Sequence, residues 1–388
     1  MKIAYILNST GQFTGSSKSF IVLLEGLREK SINAIVVLPD KNGIYNYFVE
    51  KGIQVFVTTY RPNSYPPHET INDYFLFFPR LIGRILANAI AFRKLAIFLS
   101  DKDVDLIHTN VGVINIGYKV SRRLHIPHIY HIREYADIDF NIKYFPNKAS
   151  FRKQLNSEKS YSIFITKALQ TYYHQDNRPT SWVIYNGIQG PAQTLPHKSD
   201  GDYFLIIGRI EPAKGHDQLL EAYFAYLALS TTPLPIYIVG DVNSSTFIER
   251  IRQYIHSHGM ESHISFLGHR NDTAELMRNA RAVIVPSQFE GFGRVMAEAM
   301  FNGCLVIGRN TAGTKEQFDN GLQLCGEEIG MRYNSTEELA ECLKQAESMS
   351  SYCYKHITNK AFDVVNKLYT TDAYVSAVLS CYQHIITS

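Results

Sequence analysis

The 388-residue chain is 45% hydrophobic and 19% charged, the composition of a globular protein and not of a disordered one, and its length suits two domains of ordinary size. The formal net charge of +3 hides an asymmetry: residues 1–190 carry 23 Lys+Arg against 14 Asp+Glu, and the rest carries 16 against 22, which points to an anionic surface or substrate on the first half's side. No charge-free apolar run of about 18 residues marks a spanning helix, and five cysteines (304, 325, 342, 353, 381) without a C-x-x-C pair fit a reduced, cytoplasmic protein.

The chain opens on Lys2–Leu7, an apolar run that turns polar at Asn8-Ser9-Thr10, too short for a signal peptide and read as a first strand. Further strands are expected at Ala34–Leu38, Val55–Thr58, Leu106–His108, His128–His131 and Ser162–Ile165. Tyr74–Leu99 is apolar with Arg80, Arg84, Arg93 and Lys94 interspersed, and helical spacing puts Arg80 and Arg84 on one face. It reads either as a crossover helix of the first domain or as an interfacial helix at an anionic membrane. Residues 186–201, polar and rich in Gly and Pro, read as a linker. A second series of strands follows at Tyr203–Gly208, Ile236–Gly240, Ile264–Phe266, Ala282–Val285 and Cys304–Ile307, and Thr371–Ser388 reads as a helix crossing back to the first domain.

Strand, loop and helix in repetition imply parallel sheets with helical crossovers. The expected fold is α/β, with Rossmann-like doubly wound domains at 1–185 and 202–370. If the two face one another, the carboxyl ends of both sets of strands meet at a cleft, where open α/β sheets bind ligands.

Two segments of the second half carry chemistry. Gly208-Arg209-Ile-Glu-Pro-Ala-Lys214-Gly215 follows a strand and precedes a helix, placing two cations at the edge of the second domain. Alone they read as solvated loop charges; together they can neutralise a leaving diphosphate, as a metal does elsewhere. Pro286-Ser-Gln-Phe-Glu290-Gly-Phe-Gly293 then leads into the helix formers Arg294 to Phe301, and Glu298 lies eight positions after Glu290. A helix starting near Gly293 offers an anion site at its end. One acid can grip hydroxyls at the reacting end of a ligand and the other the hydroxyls of a ribose, an arrangement that suits a sugar nucleotide.

The strings GRIEPAKG and PSQFEGFGRVMAEAMFNGCLVIGRNTAGTKE resemble those of glycosyltransferase family 4, the retaining sugar-nucleotide transferases of GT-B fold. GQFTGSSKSF, IYHIRE and VIYNGI fall where that family has its acceptor-side loop, cleft histidine and linker. The resemblance implies that Arg209 and Lys214, after Gly208, hold the donor diphosphate. It implies that Glu290 contacts the donor sugar, that Gly291, Phe292 and Gly293 meet sugar and phosphate through backbone amides, and that Glu298 binds the ribose. His131 matches the histidine that approaches the sugar. Gly15, Arg133 and Glu134 become acceptor-side candidates, although Phe13-Thr14-Gly15-Ser16 replaces the family's usual Gly-Gly pair. Arg294 stands where the family often has an apolar residue. The implied partners are a nucleotide diphosphate sugar, which is a substrate and not a cofactor, and a glycan or lipid-linked acceptor, as in bacterial surface polysaccharide synthesis. An anionic inner membrane face is a further expected contact, and nucleic acid is not expected.

Other chemistries fit less well. Asp101-x-Asp103-x-Asp105 precedes a strand and reads as a solvated turn, Asp137-x-Asp139 reads as acceptor contacts, and no zinc spacing occurs, so no metal site is expected. Asn8–Gly15 lacks the G-x-G-x-x-G spacing of dinucleotide binders. A sugar-nucleotide epimerase or a phosphorylase of the same architecture, or a glycan-binding scaffold, remain the alternatives; an epimerase would turn over its nucleotide sugar without an acceptor.

Overall fold

The computed structural model describes residues 1–8, 15–67, 70–188 and 200–387. The chain divides into two compact units, Met1–Gly187 with Thr371–Ser388, and Ile188–Thr370. Residues 189–199 of the expected linker and residues 9–14 of the first strand–helix loop lie outside the described residues.

The first unit is built on a seven-stranded sheet. Its strands are β1 (Lys2–Ile6), β2 (Asn33–Leu38), β3 (Gln54–Val57), β4 (Leu106–Thr109), β5 (His128–Ile132), β6 (Ser160–Phe164) and β7 (Ser181–Val183). They lie in the order β3-β2-β1-β4-β5-β6-β7, every neighbouring pair parallel. Helices cover both faces, so β1, β2 and β5 are nearly continuous buried runs without polar alternation. The short strand β7 was not among the expected elements; three residues carry no readable period. Its Trp182 stacks on Tyr161 and meets His384 edge-on, which holds it to the sheet.

The helix Thr371–Thr387 belongs to this unit. Its stripe of Tyr374, Val375, Val378, Tyr382 and Ile385 is buried with Phe20, Leu23, Leu24 and Leu27 of the helix Gly15–Glu29. Burial of each such side chain stabilises by roughly 1.5–3 kcal/mol. Gly26 permits the close approach, since a Cβ there would lie 2.4 Å from Val375 Cγ2.

The helix Ile71–Leu99 starts three residues before the expected segment, because Thr70 and Asp73 form a reciprocal capping box. Arg80 and Arg84 share a face, but that face turns toward the protein. Arg84 Nη1 donates to the carbonyls of Ser64 and Tyr65 at 3.0 and 3.1 Å, and Arg80 pairs with Asp73. These two arginines are therefore engaged within the unit and do not form the lipid-facing basic stripe expected from their spacing. No charge-free run of 18 residues occurs in this helix, as expected, yet an 18-residue window of it has mean hydropathy 1.5, and by length and composition it is apolar enough to cross a membrane.

The second unit has a six-stranded sheet of β8 (Phe204–Ile207), β9 (Ile236–Val239), β10 (Ile264–Gly268), β11 (Ala282–Val285), β12 (Val306–Arg309) and β13 (Met331–Tyr333). The order is β10-β9-β8-β11-β12-β13, again all parallel. β13 is a second three-residue strand that was not expected. The chain winds from β8 outward to β10 and then returns to the other side of β8 with β11. The strand order thus reverses between β8 and β11, the place where open α/β sheets bind ligands beyond their carboxyl ends.

Candidate active site

The two strands flanking that reversal are the ones followed by Gly208–Gly215 and Pro286–Gly293. Beyond β8 the chain makes a short 3-10 turn, Pro212–Lys214, and Gly215 in the left-handed conformation leads into the helix His216–Leu229. A Cβ on Gly215 would lie 2.1 Å from the carbonyl oxygen of Pro286, so only glycine lets the two loops touch. The loops are also joined by the Gln288 N–H donating to Ala213 O at 3.1 Å. Gly240, after β9, closes on the same place: its Cβ would lie 1.9 Å from Gly208 O.

This packing brings Lys214 Nζ to 2.7 Å from Glu290 Oε1, with the two side chains 25% and 20% exposed. Ser287 Oγ donates to the same carboxylate oxygen at 2.7 Å. Arg209 lies on the β8 loop but turns outward, half exposed, onto Glu211 at 3.0 Å, and Glu211 also accepts from Asn243 Nδ2 at 2.8 Å. The Lys214 stem passes Gly208 at ordinary van der Waals distance, 3.8 Å from its would-be Cβ.

Gly293, at φ +84, turns the β11 loop into the helix Arg294–Phe301, whose start carries no side-chain cap. The loop is fixed from behind by the helix Ala312–Cys325. Gln317 Nε2 donates to the carbonyls of Phe292 and Gly293 at 2.5 and 3.0 Å, and the Gly313 N–H donates to Glu290 O at 2.9 Å. The Phe292 ring is buried edge-on against Tyr369, so its backbone is what the loop presents. Glu298 stands on the second turn of the helix and accepts from Arg294 Nη2 at 3.1 Å, an i,i+4 pair. Arg294 thus partly neutralises the second acid.

The second unit therefore gathers Gly208, Lys214, Glu290, Gly291, Phe292 and Gly293 on two touching loops, with Arg209 on the β8 loop and Glu298 on the helix that follows the β11 loop. Sequence reasoning passed over Ser287, Gln317, Gly313 and Gly240. Ser287 could have been found as the hydroxyl three residues before Glu290. The others act through approaches between segments far apart in sequence, for which no local signal exists.

The remaining candidates lie in the first unit. His131, last but one in β5, is fully buried. Its Nδ1 lies 3.3 Å from Arg133 Nη2, and its Nε2 has no hydrogen-bond partner among the described residues. Burial, with the Arg133 charge second, holds it well below the ordinary histidine range, so it is neutral. Arg133 is itself buried and donates to Asn110 Oδ1 at 2.9 Å, Asn186 Oδ1 at 2.6 Å and Tyr374 OH at 2.8 Å. It holds together β4, β5, the chain leaving β7 and the last helix. Gly15 begins its helix exposed at the edge of residues 9–14.

Glu134 is pushed up to about 7 by burial, with Asp139 adding to the rise. A carboxyl raised in the folded state favours the protonated form, so its contribution to stability is complete below the ordinary value of 4.5 and is lost as pH rises through about 7. Glu134→Gln should remove this dependence. Relative to the variant, wild type is expected to lose melting temperature between pH 4.5 and 7, and parallel curves would contradict the assignment.

Of the aspartates, Asp105 accepts from the Lys2 N–H at 2.7 Å, before β4. Asp137 takes Lys148 and Tyr172, each at 2.8 Å, and Asp139 takes the Tyr135 N–H at 2.9 Å. No three His, Cys, Asp or Glu side chains gather among the described residues in a way that could hold a metal.

Residues 192–361 match the family model of glycosyl transferases group 1. Among curated proteins, an uncharacterized glycosyltransferase of Methanocaldococcus jannaschii is 27% identical over 222 residues, 56% of this chain and 59% of that protein. A D-inositol 3-phosphate glycosyltransferase of Jonesia denitrificans is 32% identical over 123 residues, 29% of this chain and 28% of its own length. The chain thus spans less than two-thirds of either relative, 59% of the first and 28% of the second. N-acetyl-alpha-D-glucosaminyl L-malate synthase of Bacillus anthracis is 21% identical over 88% of this chain and 89% of that protein. Among solved structures, HepE of Anabaena in complex with UDP superposes with a TM-score of 0.76 at 21% identity, covering 99% of this chain and 100% of that one. The same protein with UDP-glucose gives 0.75 over the same coverage. The fold is that of the GT-B glycosyltransferases.

Proposed function

We propose, from the match of residues 192–361 to the family model of glycosyl transferases group 1, that the protein transfers a sugar from a nucleoside diphosphate to a hydroxyl of a glycan or lipid-linked glycan. The observation that carries this reading is the Lys214–Glu290 pair on the two loops flanking the sheet reversal, with Glu298 on the following helix. In the free protein each charge of the pair satisfies the other. A diphosphate would draw Lys214 and Arg209 onto its oxygens and release the Glu290 carboxylate to the sugar hydroxyls, while Glu298 takes the ribose. The Gly291–Gly293 loop and the start of its helix would meet the phosphates.

The chemistry follows from those contacts. The acceptor oxygen bonds to the anomeric carbon as the bond from that carbon to the diphosphate oxygen breaks. The acceptor proton passes to the leaving phosphate oxygen on the same face of the sugar, so configuration is retained. Arg209 and Lys214 supply the positive charge the leaving group needs, and we therefore take the reaction to run without a divalent ion. Glu290 stabilises charge growing on the ring. The first unit is assigned to the acceptor; His131 is buried and neutral there and would meet a substrate only if the Tyr374 ring beside it moved. Bacterial surface polysaccharide synthesis is the setting we assign to the product.

Uridine diphosphate is the nucleotide to try first, because the Anabaena neighbour is seen with UDP and with UDP-glucose. A panel of nucleoside diphosphates and their sugars should raise the melting temperature for one base, by mass action on the folded state. Glu298→Ala should weaken that ligand about tenfold, the scale of a lost hydrogen bond to a charged group. If no member of the panel shifts the melting temperature, the reading fails.

A further inference from the structure

The helix Ile71–Leu99 is amphipathic in the reverse sense for a domain surrounded by water. In its middle turns polar side chains face inward: Arg84 to Ser64 and Tyr65, and Asn88 to the backbone of Arg61 at 2.8 and 3.1 Å. Its apolar ones turn out. Ile71, Phe75 and Phe78 are 78%, 79% and 70% exposed, and Ile82, Leu86 and Ile90 are 56%, 57% and 54% exposed. These positions recur every three or four residues, so they form one continuous stripe, about 30 Å long over twenty residues. An exposed apolar surface of that extent marks an interaction site.

We propose that the outer face of this helix, from Ile71 to Ile90, is a docking surface that lies in the interfacial layer of a bilayer with anionic headgroups. The inference stands independently of the sugar-transfer reading. The inner face settles how the helix lies. Phe77 stacks on Tyr65, Arg84 and Asn88 hold the chain at residues 61–65, Phe98 stacks on Phe56 at 4.2 Å, and Ala91, Leu95 and Leu99 are buried. A helix bound to its own unit at points from Phe77 to Leu99 cannot stand upright in lipid without detaching, so it lies flat, although its length and apolarity would suffice to span.

Charge identifies the lipid. Asp73 is the helix's single acid and is occupied by its cap and by Arg80. Past Ile90 the stripe ends in Arg93 and Lys94, both exposed. Exposed cations beside a carboxylate-free apolar stripe complement anionic headgroups. The 66% exposed Tyr74 offers the amphipathic ring favoured at the same depth.

The test is co-sedimentation of the full chain with vesicles of phosphatidylcholine alone and of phosphatidylcholine mixed with phosphatidylglycerol. Wild type is expected to pellet with the mixed vesicles and less with the zwitterionic ones. Phe78→Glu together with Ile82→Glu should lower partitioning on the order of a hundredfold, about tenfold for each apolar side chain withdrawn from lipid. Circular dichroism should be unchanged, since both side chains are exposed. Arg93→Gln with Lys94→Gln should bring binding to mixed vesicles down to the zwitterionic level. The proposal is overturned if wild type stays in the supernatant with both vesicles, or if the double glutamate variant pellets as well as wild type. It is equally overturned if light scattering shows a wild-type dimer that the glutamate variant makes monomeric, which would assign the stripe to a second copy.

Discussion

Lys214→Ala is expected to lower turnover by on the order of 10²–10³, the usual cost of removing one preorganised electrostatic group from an active site. The ammonium is held between two loops that touch through backbone, 2.7 Å from Glu290, and is three-quarters covered. It is thus held at the site before any ligand arrives, and a diphosphate has only to draw it from Glu290 onto its own oxygens. Its loss removes that stabilisation and leaves the Glu290 carboxylate with Ser287 alone of the two groups now donating to it. Glu290→Gln should cost as much for a different reason. The amide keeps the shape but no longer carries the charge that steadies a sugar ring turning positive. Both variants should keep the wild-type circular dichroism spectrum. Near-normal turnover by either, measured as nucleoside diphosphate released in the presence of acceptor, would contradict the roles assigned to the pair.

Gly215→Ala is the second large effect, on stability and turnover together. At φ +71 an alanine costs roughly 1–2 kcal/mol. The greater problem is that its Cβ would sit 2.1 Å from Pro286 O and 2.8 Å from Pro286 C, backbone atoms that move only with the whole β11 loop. Overpacking of this kind costs roughly 1–3 kcal/mol. The variant should therefore lose about 2–5 kcal/mol to urea denaturation. Because the displaced segment carries Glu290, turnover should fall as well. Gly259→Ala is the control: it has a similar φ of +65 but nothing within 4 Å of its Cβ, so it should show the conformational cost alone. Equal losses in the two variants would mean that the contact between the loops is unimportant.

Much of the fold was legible in the sequence because doubly wound strands are short apolar runs bounded by turn residues. The strands β1–β6 and β8–β12 fall within a few residues of the expected positions. β7 and β13, three residues each, owe their pairing to tertiary contacts such as Trp182 against Tyr161 and were not visible as local patterns. The spacing of Glu290 and Glu298 could be read because it depends only on where one helix starts. That Lys214 pairs with Glu290, across 76 positions, depends on Gly215 meeting Pro286, and no periodicity reports a contact between two backbones. For Ile71–Leu99, spacing correctly grouped Arg80 with Arg84 on one face. It could not say which face turns inward, and the ordinary rule, apolar side in, is reversed there. The burial of His131 and Arg133 was likewise out of reach, because Tyr374, which covers both, comes from a helix about 240 residues further on.

The central claim is that Arg209 and Lys214 clamp a pyrophosphate, and calorimetric titration with paired nucleotides tests it most directly. The wild-type protein should bind the preferred nucleoside diphosphate at least about tenfold more tightly than the monophosphate, the scale of one to two charged hydrogen bonds. In Arg209→Ala/Lys214→Ala that preference should vanish while the residual affinity for the monophosphate stays. A wild-type protein that binds both nucleotides equally, or a double variant that still prefers the diphosphate, would contradict the account.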